Sequence, residues 1–270
     1  MSDGEWKTAI TSCEANNIRI RGYRITDLMG AVGFAQALYL LCRGDLPTLD
    51  QARMLEAILV SCVDHGIVPT STRAARTVAA SGSPALSALA AGILGFSDAH
   101  GGAIEGAMRL LHEVRWKWER KMGTLPELTR QVVLRALETQ ERLPGLGHAI
   151  YKRGDPRTER LLELAQRCGI AGQYVEIAEA YRSALSEELG KASLPLNVDG
   201  CIAALLCEMG FAPEVGNLFF ALSRTAGFMA HIQEERQRER PLRDIDWQRA
   251  EYDGPEAREL PEGASAVWPQ

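Results

Sequence analysis

An all-α fold is what this sequence predicts, and three observations carry the expectation. Apolar residues recur at helical spacing along most of the chain, Gly and Pro punctuate them where helices would end or begin, and no series of alternating strands is visible. Asp27 is placed to cap a helix through Leu28, Val32, Leu38 and Leu41 that Gly44 ends. Asp50 is placed to open the next, with Leu55, Ile58, Leu59 and Cys62 along one face. Pro84 starts a small-residue helix through Leu86, Leu89 and Ala90. The spacing predicts a helix over 103–121 on Ala107, Leu110, Leu111 and Val114, and Pro126 suits the start of another holding Leu128, Val132 and Leu137. Further helices are expected over 158–168, 173–189, 198–209 and 213–236, and the tail after Asp253 is expected to be extended or mobile.

Bulk properties narrow the function. With 46% hydrophobic residues in 270, the chain is able to bury one large core or two modest ones. A net charge of -5 argues against a general polyanion surface, and the one dense basic stretch, 236–243, is short and contains Glu239, so no nucleic-acid partner is expected. The longest apolar run, 84–96, is too short to span a bilayer, and residues 1–10 lack a signal-peptide core. Six cysteines form neither a CxxC pair nor a zinc spacing. They read as reduced, mostly buried thiols, so a cytoplasmic protein with no membrane partner and no metal is expected. The sequence holds no Walker-type phosphate loop, which argues against ATP use by this chain.

Three of the five histidines fall at loop-to-helix junctions rich in glycine: Asp64-His65-Gly66, His100-Gly101-Gly102 and Pro144-Gly145-Leu146-Gly147-His148. Glycine lets a ligand approach the backbone. A helix start lowers an imidazole's pKa, keeping it a neutral donor for a carbonyl oxygen. Singly, each histidine reads first as a capping or packing residue, and it is the joint pattern that points to a site. Nine residues after His148, Arg157 follows Asp155-Pro156, a position suited to a forked contact with a carboxylate or to an ordinary surface loop. Asp199 stands at the front of an apolar helix, as a plain cap or as a base for a proton alpha to a thioester, with His100 the candidate partner for the enolate oxygen. Arg224 is flanked by apolar helix, where a buried guanidinium needs an internal carboxylate or a substrate anion.

Taken in order, the motifs resemble those of the citrate synthase superfamily. They are IRGYRITDL at 20–28, LLCRGDLP at 40–47, HGGA from His100 with Glu105 beyond it, LPGLGHAIYKRGDPR at 143–157, Asn197-Val198-Asp199, and SRTAGFMAH at 223–231. The resemblance implies a large helical domain of residues 1–103 and 204–270 and a small helical domain of 104–203 that closes over the substrates. It implies a homodimer with shared active sites, larger oligomers being left open. It gives His100 the enol of acetyl-CoA, His148 the oxaloacetate carbonyl that becomes the citryl hydroxyl, and Asp199 the methyl proton. His65, Arg157 and Arg224 would bind the dicarboxylate, with Arg240 supplied from the neighbouring subunit. The backbone of Leu143, Pro144, Gly145, Leu146 and Gly147 would lie against the CoA adenine, and Lys152 would meet a phosphate.

A single helix separates Pro47 from His65, where full citrate synthases carry a longer helical segment, and Cys62 stands where those often have His. The shortened form resembles citryl-CoA lyases and the C-terminal module of ATP-citrate lyase. The expected activity is therefore cleavage of citryl-CoA, or a close 3-hydroxy-3-carboxyacyl-CoA, to acetyl-CoA and oxaloacetate. Citrate synthase activity in the condensing direction is the alternative, and a non-catalytic acyl-CoA-binding homologue a third. Coenzyme A enters as substrate, and no permanently bound cofactor is expected.

Overall fold

A computed structural model describes residues 6–97, 100–147, 154–190, 194–242, 253–256 and 258–259. Three short strands come first: β1 (Thr11–Glu14), β2 (Asn17–Ile20) and β3 (Tyr23–Arg24), an antiparallel sheet in that order. Eleven α-helices follow among the described residues: α1 (Ile25–Leu28), α2 (Phe34–Arg43), α3 (Leu49–Cys62), α4 (Thr70–Ala80), α5 (Ala85–Leu94), α6 (Ala103–Glu119), α7 (Leu125–Thr139), α8 (Pro156–Arg167), α9 (Gln173–Glu188), α10 (Val198–Glu208) and α11 (Gly216–Arg238), the last preceded by a 3-10 turn at Pro213–Val215.

The helical expectation holds, with four local corrections. The strands are too short for alternation to register, and their second turn uses Arg21 at φ 48° with Gly22 at φ 90°. The helix expected from Asp27 is two pieces, because the chain leaves α1 at Met29 and passes through Gly30 at φ 83° before Gly33 starts α2. Thr48, rather than Asp50, caps α3: its hydroxyl accepts from Gln51 N–H at 3.2 Å while the Gln51 amide accepts from Thr48 N–H at 2.9 Å. Helix α4 was not anticipated, since its buried face is made of Ser71, Thr72, Ala75 and Ala79 and carries no large apolar residue. Gly44 does end α2, at φ 94°.

Helix α10 is the spine of the core. Every residue from Gly200 to Cys207 is buried, and α6, α8 and α9 pack around it. Its far end holds the start of α9: the Glu208 carboxylate accepts the N–H groups of Gly172, Tyr174 and Val175 at 3.0, 2.7 and 3.1 Å. The boundary expected after Ala203 falls within this helix. A second, smaller cluster joins α4, α5 and α11 through Ala75, Ala79, Ala88, Phe228 and Ile232. Of the six cysteines, Cys62, Cys201 and Cys207 are buried, Cys168 is half-buried, and Cys13 and Cys42 are exposed, so burial holds for only part of the set. No described helix is long and apolar enough to cross a membrane.

Candidate active site

Asn197, not Asp199, caps α10. Its side-chain oxygen accepts the Gly200 N–H at 3.0 Å, and its amide donates to the Gly147 carbonyl at 2.8 Å. Asp199 is thereby released from capping and lines a cavity instead. The loop 143–147 is laced to the same helix start: Gly147 N–H donates to Pro195 O at 2.9 Å, and Asn197 N–H to Gly145 O at 3.1 Å. Gly145, at φ 82°, passes directly over Gly200.

The cavity, of ≈ 150 Å³, gathers residues from five parts of the chain: His65 after α3, His100 before α6, Arg157 on α8, Asp199 on α10 and Arg224 on α11. It meets a larger cleft of ≈ 570 Å³ through residues common to both walls, Gly101, Asn197 and Asp199. Leu143, Pro144, Gly145 and Leu146 border this cleft, with Arg109, Arg142 and Asn217 on its other sides. Gly147 lines neither cavity, and Arg240, exposed beyond the end of α11, lines neither. His148 and Lys152 lie outside the described residues.

Arg224 is buried, with 2% of its surface exposed. Its Nε–H donates to the Cys62 carbonyl at 2.8 Å, and its guanidinium sits 4.8 Å over the Phe220 ring. Among the described residues no carboxylate lies within 4.0 Å of it. Arg157 already forks onto Asp155, at 3.0 and 2.8 Å. Burial pushes the Asp199 carboxyl above the usual carboxylate range, against the pull of Arg157 and Arg224. His100 is held below the usual imidazole range by burial first, then by the charges of Arg224 and His65. The direction agrees with the expectation, with burial the largest cause. Ser71 Oγ lies 2.7 Å from His100 Nε2, and Phe96 and Phe220 flank the ring.

Ser71, Asn197 and Arg142 are the partners that sequence reasoning missed. Arg142 carried a usable signal, a basic residue just before a glycine loop. Ser71 carried none. Chemically, the site sets three cationic or proton-donating groups and a neutral imidazole around one carboxyl whose proton is easily kept.

The chain belongs to the citrate synthase family: the domain described as citrate synthase, C-terminal domain, matches residues 49–244. Among solved structures it is similar to citryl-CoA lyase from Hydrogenobacter thermophilus, with a TM-score of 0.86 and 43% identity, covering 95% of this chain and 97% of that one. Citrate synthase 2 of Bacillus subtilis (strain 168) is 29% identical over 232 residues, 84% of this chain and 58% of that protein. The glyoxysomal citrate synthase of Cucurbita maxima is 34% identical over 190 residues, 68% of this chain and 35% of that protein. The chain spans about half the length of the curated relatives it matches. A mutant ATP citrate lyase of Methanosaeta concilii, in complex with (3S)-citryl-CoA, shares the fold at a TM-score of 0.78 and 23% identity, covering 95% of this chain and 43% of that one.

Proposed function

We propose that this chain is a citryl-CoA lyase, cleaving citryl-CoA to acetyl-CoA and oxaloacetate. The observation that carries the reading is Arg224: a buried guanidinium with no carboxylate partner among the described residues, sharing a small cavity with His65, Arg157, His100 and Asp199. A buried cation of this kind calls for an anion from outside the chain. A dicarboxylate held by Arg224, Arg157 and His65 fits that need, and the adjoining cleft along 143–146 offers a bed for the CoA chain.

In this mechanism His148 takes the hydroxyl proton of citryl-CoA. The carbon–carbon bond then breaks, oxaloacetate forms, and the bonding pair moves into the thioester as an enol. With the Ser71 hydroxyl donating to Nε2, neutral His100 carries its proton on Nδ1, shares it with the enol oxygen and takes it back as the terminal carbon is protonated. Asp199 gives its proton to the terminal carbon, which becomes the methyl group of acetyl-CoA. A carboxyl whose pKa is raised is suited to that delivery. Arg240 from a partner subunit and Lys152 on a CoA phosphate complete the reading. The same proposal takes the division into residues 1–103 with 204–270 and residues 104–203, a homodimer, coenzyme A as substrate and not resident cofactor, and a cytoplasmic setting.

The second reading is citrate synthase activity, favoured by the names of the curated relatives. Purified protein assayed with citryl-CoA, and separately with acetyl-CoA plus oxaloacetate, separates the two. The lyase reading expects rapid release of acetyl-CoA from the first and negligible free CoA from the second. Brisk CoA release from the second mixture overturns it. A non-catalytic acyl-CoA binder would turn over neither.

A further inference from the structure

We infer that His231 is a positioning residue for His65, acting through Asp64 as the tautomer that carries its proton on Nε2. The inference rests on the dicarboxylate-binding role proposed above for His65. His65 leaves α3 on a tight turn whose fixed point is the Asp64 carboxylate. That carboxylate accepts the Gly66 N–H at 3.0 Å. Its other oxygen lies 3.0 Å from His231 Nε2, on α11. The turn reaches α11 because Gly227, one helical turn before His231, has no side chain: a Cβ there would stand 3.0 Å from Asp64 Oδ1.

The opposite edge of the His231 ring decides the tautomer. Arg76 of α4 places Nη1 3.4 Å from His231 Nδ1, and its guanidinium is held there by Glu234 at 2.9 Å and Glu235 at 2.7 Å. A guanidinium only donates, so Nδ1 is the acceptor and the proton resides on Nε2, aimed at Asp64. The Glu234 carboxylate that holds Arg76 stands farther from Nδ1, with Oε2 at 4.0 Å. The chain of contacts thus runs from two carboxylates through Arg76 and His231 to the turn that carries His65. His231 itself is 13% exposed and lines neither cavity.

The test uses the full chain labelled with 15N-histidine and three forms: wild type, His231→Leu and His231→Gln. Glutamine places an amide N–H near the Nε2 position and keeps the donation to Asp64. Nitrogen shifts in the wild type should report a protonated Nε2 and a bare Nδ1 for His231; the reverse assignment overturns the inference without any variant. By calorimetry, His231→Leu should bind oxaloacetate about tenfold more weakly with CoA affinity unchanged, and His231→Gln should stay within about twofold of wild type. Equal losses in both variants, an unchanged oxaloacetate affinity in His231→Leu, or a parallel loss of CoA affinity would each overturn it. If wild type does not bind oxaloacetate, the functional reading falls. The inference is then upheld by a His65 imidazole signal that His231→Leu shifts and His231→Gln does not, and overturned by any other pattern.

Discussion

Gly145 and Gly200 lie backbone against backbone, so that a Cβ on Gly145 would stand 2.7 Å from the Gly200 Cα. This contact seats the loop 143–147 on the start of α10 and sets the spacing between cleft and cavity. Gly200→Ala should cost about 1–3 kcal/mol of stability, as overpacking does. It should also lower citryl-CoA turnover at least tenfold, read by calorimetry and by acetyl-CoA release. Gly147, at φ 72° with open space around its Cβ position, is the contrast: Gly147→Ala should cost only the left-handed backbone strain, about 1–2 kcal/mol.

Asp199→Asn should lower turnover by about a thousandfold or more while CoA affinity holds, because the amide N–H is too weakly acidic to protonate carbon. Stability should move the other way. Burial raises the Asp199 pKa in the folded chain, so the stability it contributes is complete below the unfolded value of 3.8 and is lost as pH rises through the folded value. At neutral pH the uncharged amide removes that deficit, and the thermal midpoint should rise by about 2–4 °C per kcal/mol recovered. A lower midpoint would place the Asp199 charge among the stabilising groups.

The same direction of shift governs rate against pH. In the proposed mechanism cleavage uses protonated Asp199 and condensation the ionised form. Cleavage turnover should therefore decline, and condensation grow, as pH rises through the raised Asp199 pKa. Turnover at saturating substrate in both directions on one buffer series tests this, and kcat profiles that move together would exclude Asp199 as the titrating group.

Ser71→Ala keeps the packing of α4 and removes the partner of His100 Nε2. A lost hydrogen bond to a half-buried ring costs about 1–3 kcal/mol, so turnover should fall about tenfold to a hundredfold, with oxaloacetate affinity nearly unchanged.

Arg224→Met should weaken oxaloacetate binding about a hundredfold or more, as expected when one partner of a buried charge pair is removed. The free protein should not suffer in proportion, since the guanidinium is buried without a carboxylate partner among the described residues. Calorimetry gives the first quantity and thermal melting the second.

Most of the candidate cavity's lining was legible because those residues sit where the chain changes direction. His65, His100, Asp199 and Arg157 each mark a helix end, and Arg224 interrupts an apolar stretch with a charge that burial makes conspicuous. Ser71 was not legible, because nothing local separates a serine that holds an imidazole from one that merely fills a helix of small residues. The N-terminal sheet was missed for a related reason: its strands have two to four residues, and pairing rather than pattern defines them. At α3, Asp50 and Thr48 were both plausible starts, and only the reciprocal bonds with Gln51 distinguish them.

Helix α10 has Asn197 clamping Gly147 at one end and Glu208 gripping the first turn of α9 at the other. Eleven residues make a stiff rod about 16 Å long. Held at both ends and buried between them, the rod ties the position of Asp199 to the start of α9, so a substitution at Glu208 is expected to be felt at the candidate site although Glu208 lines neither cavity.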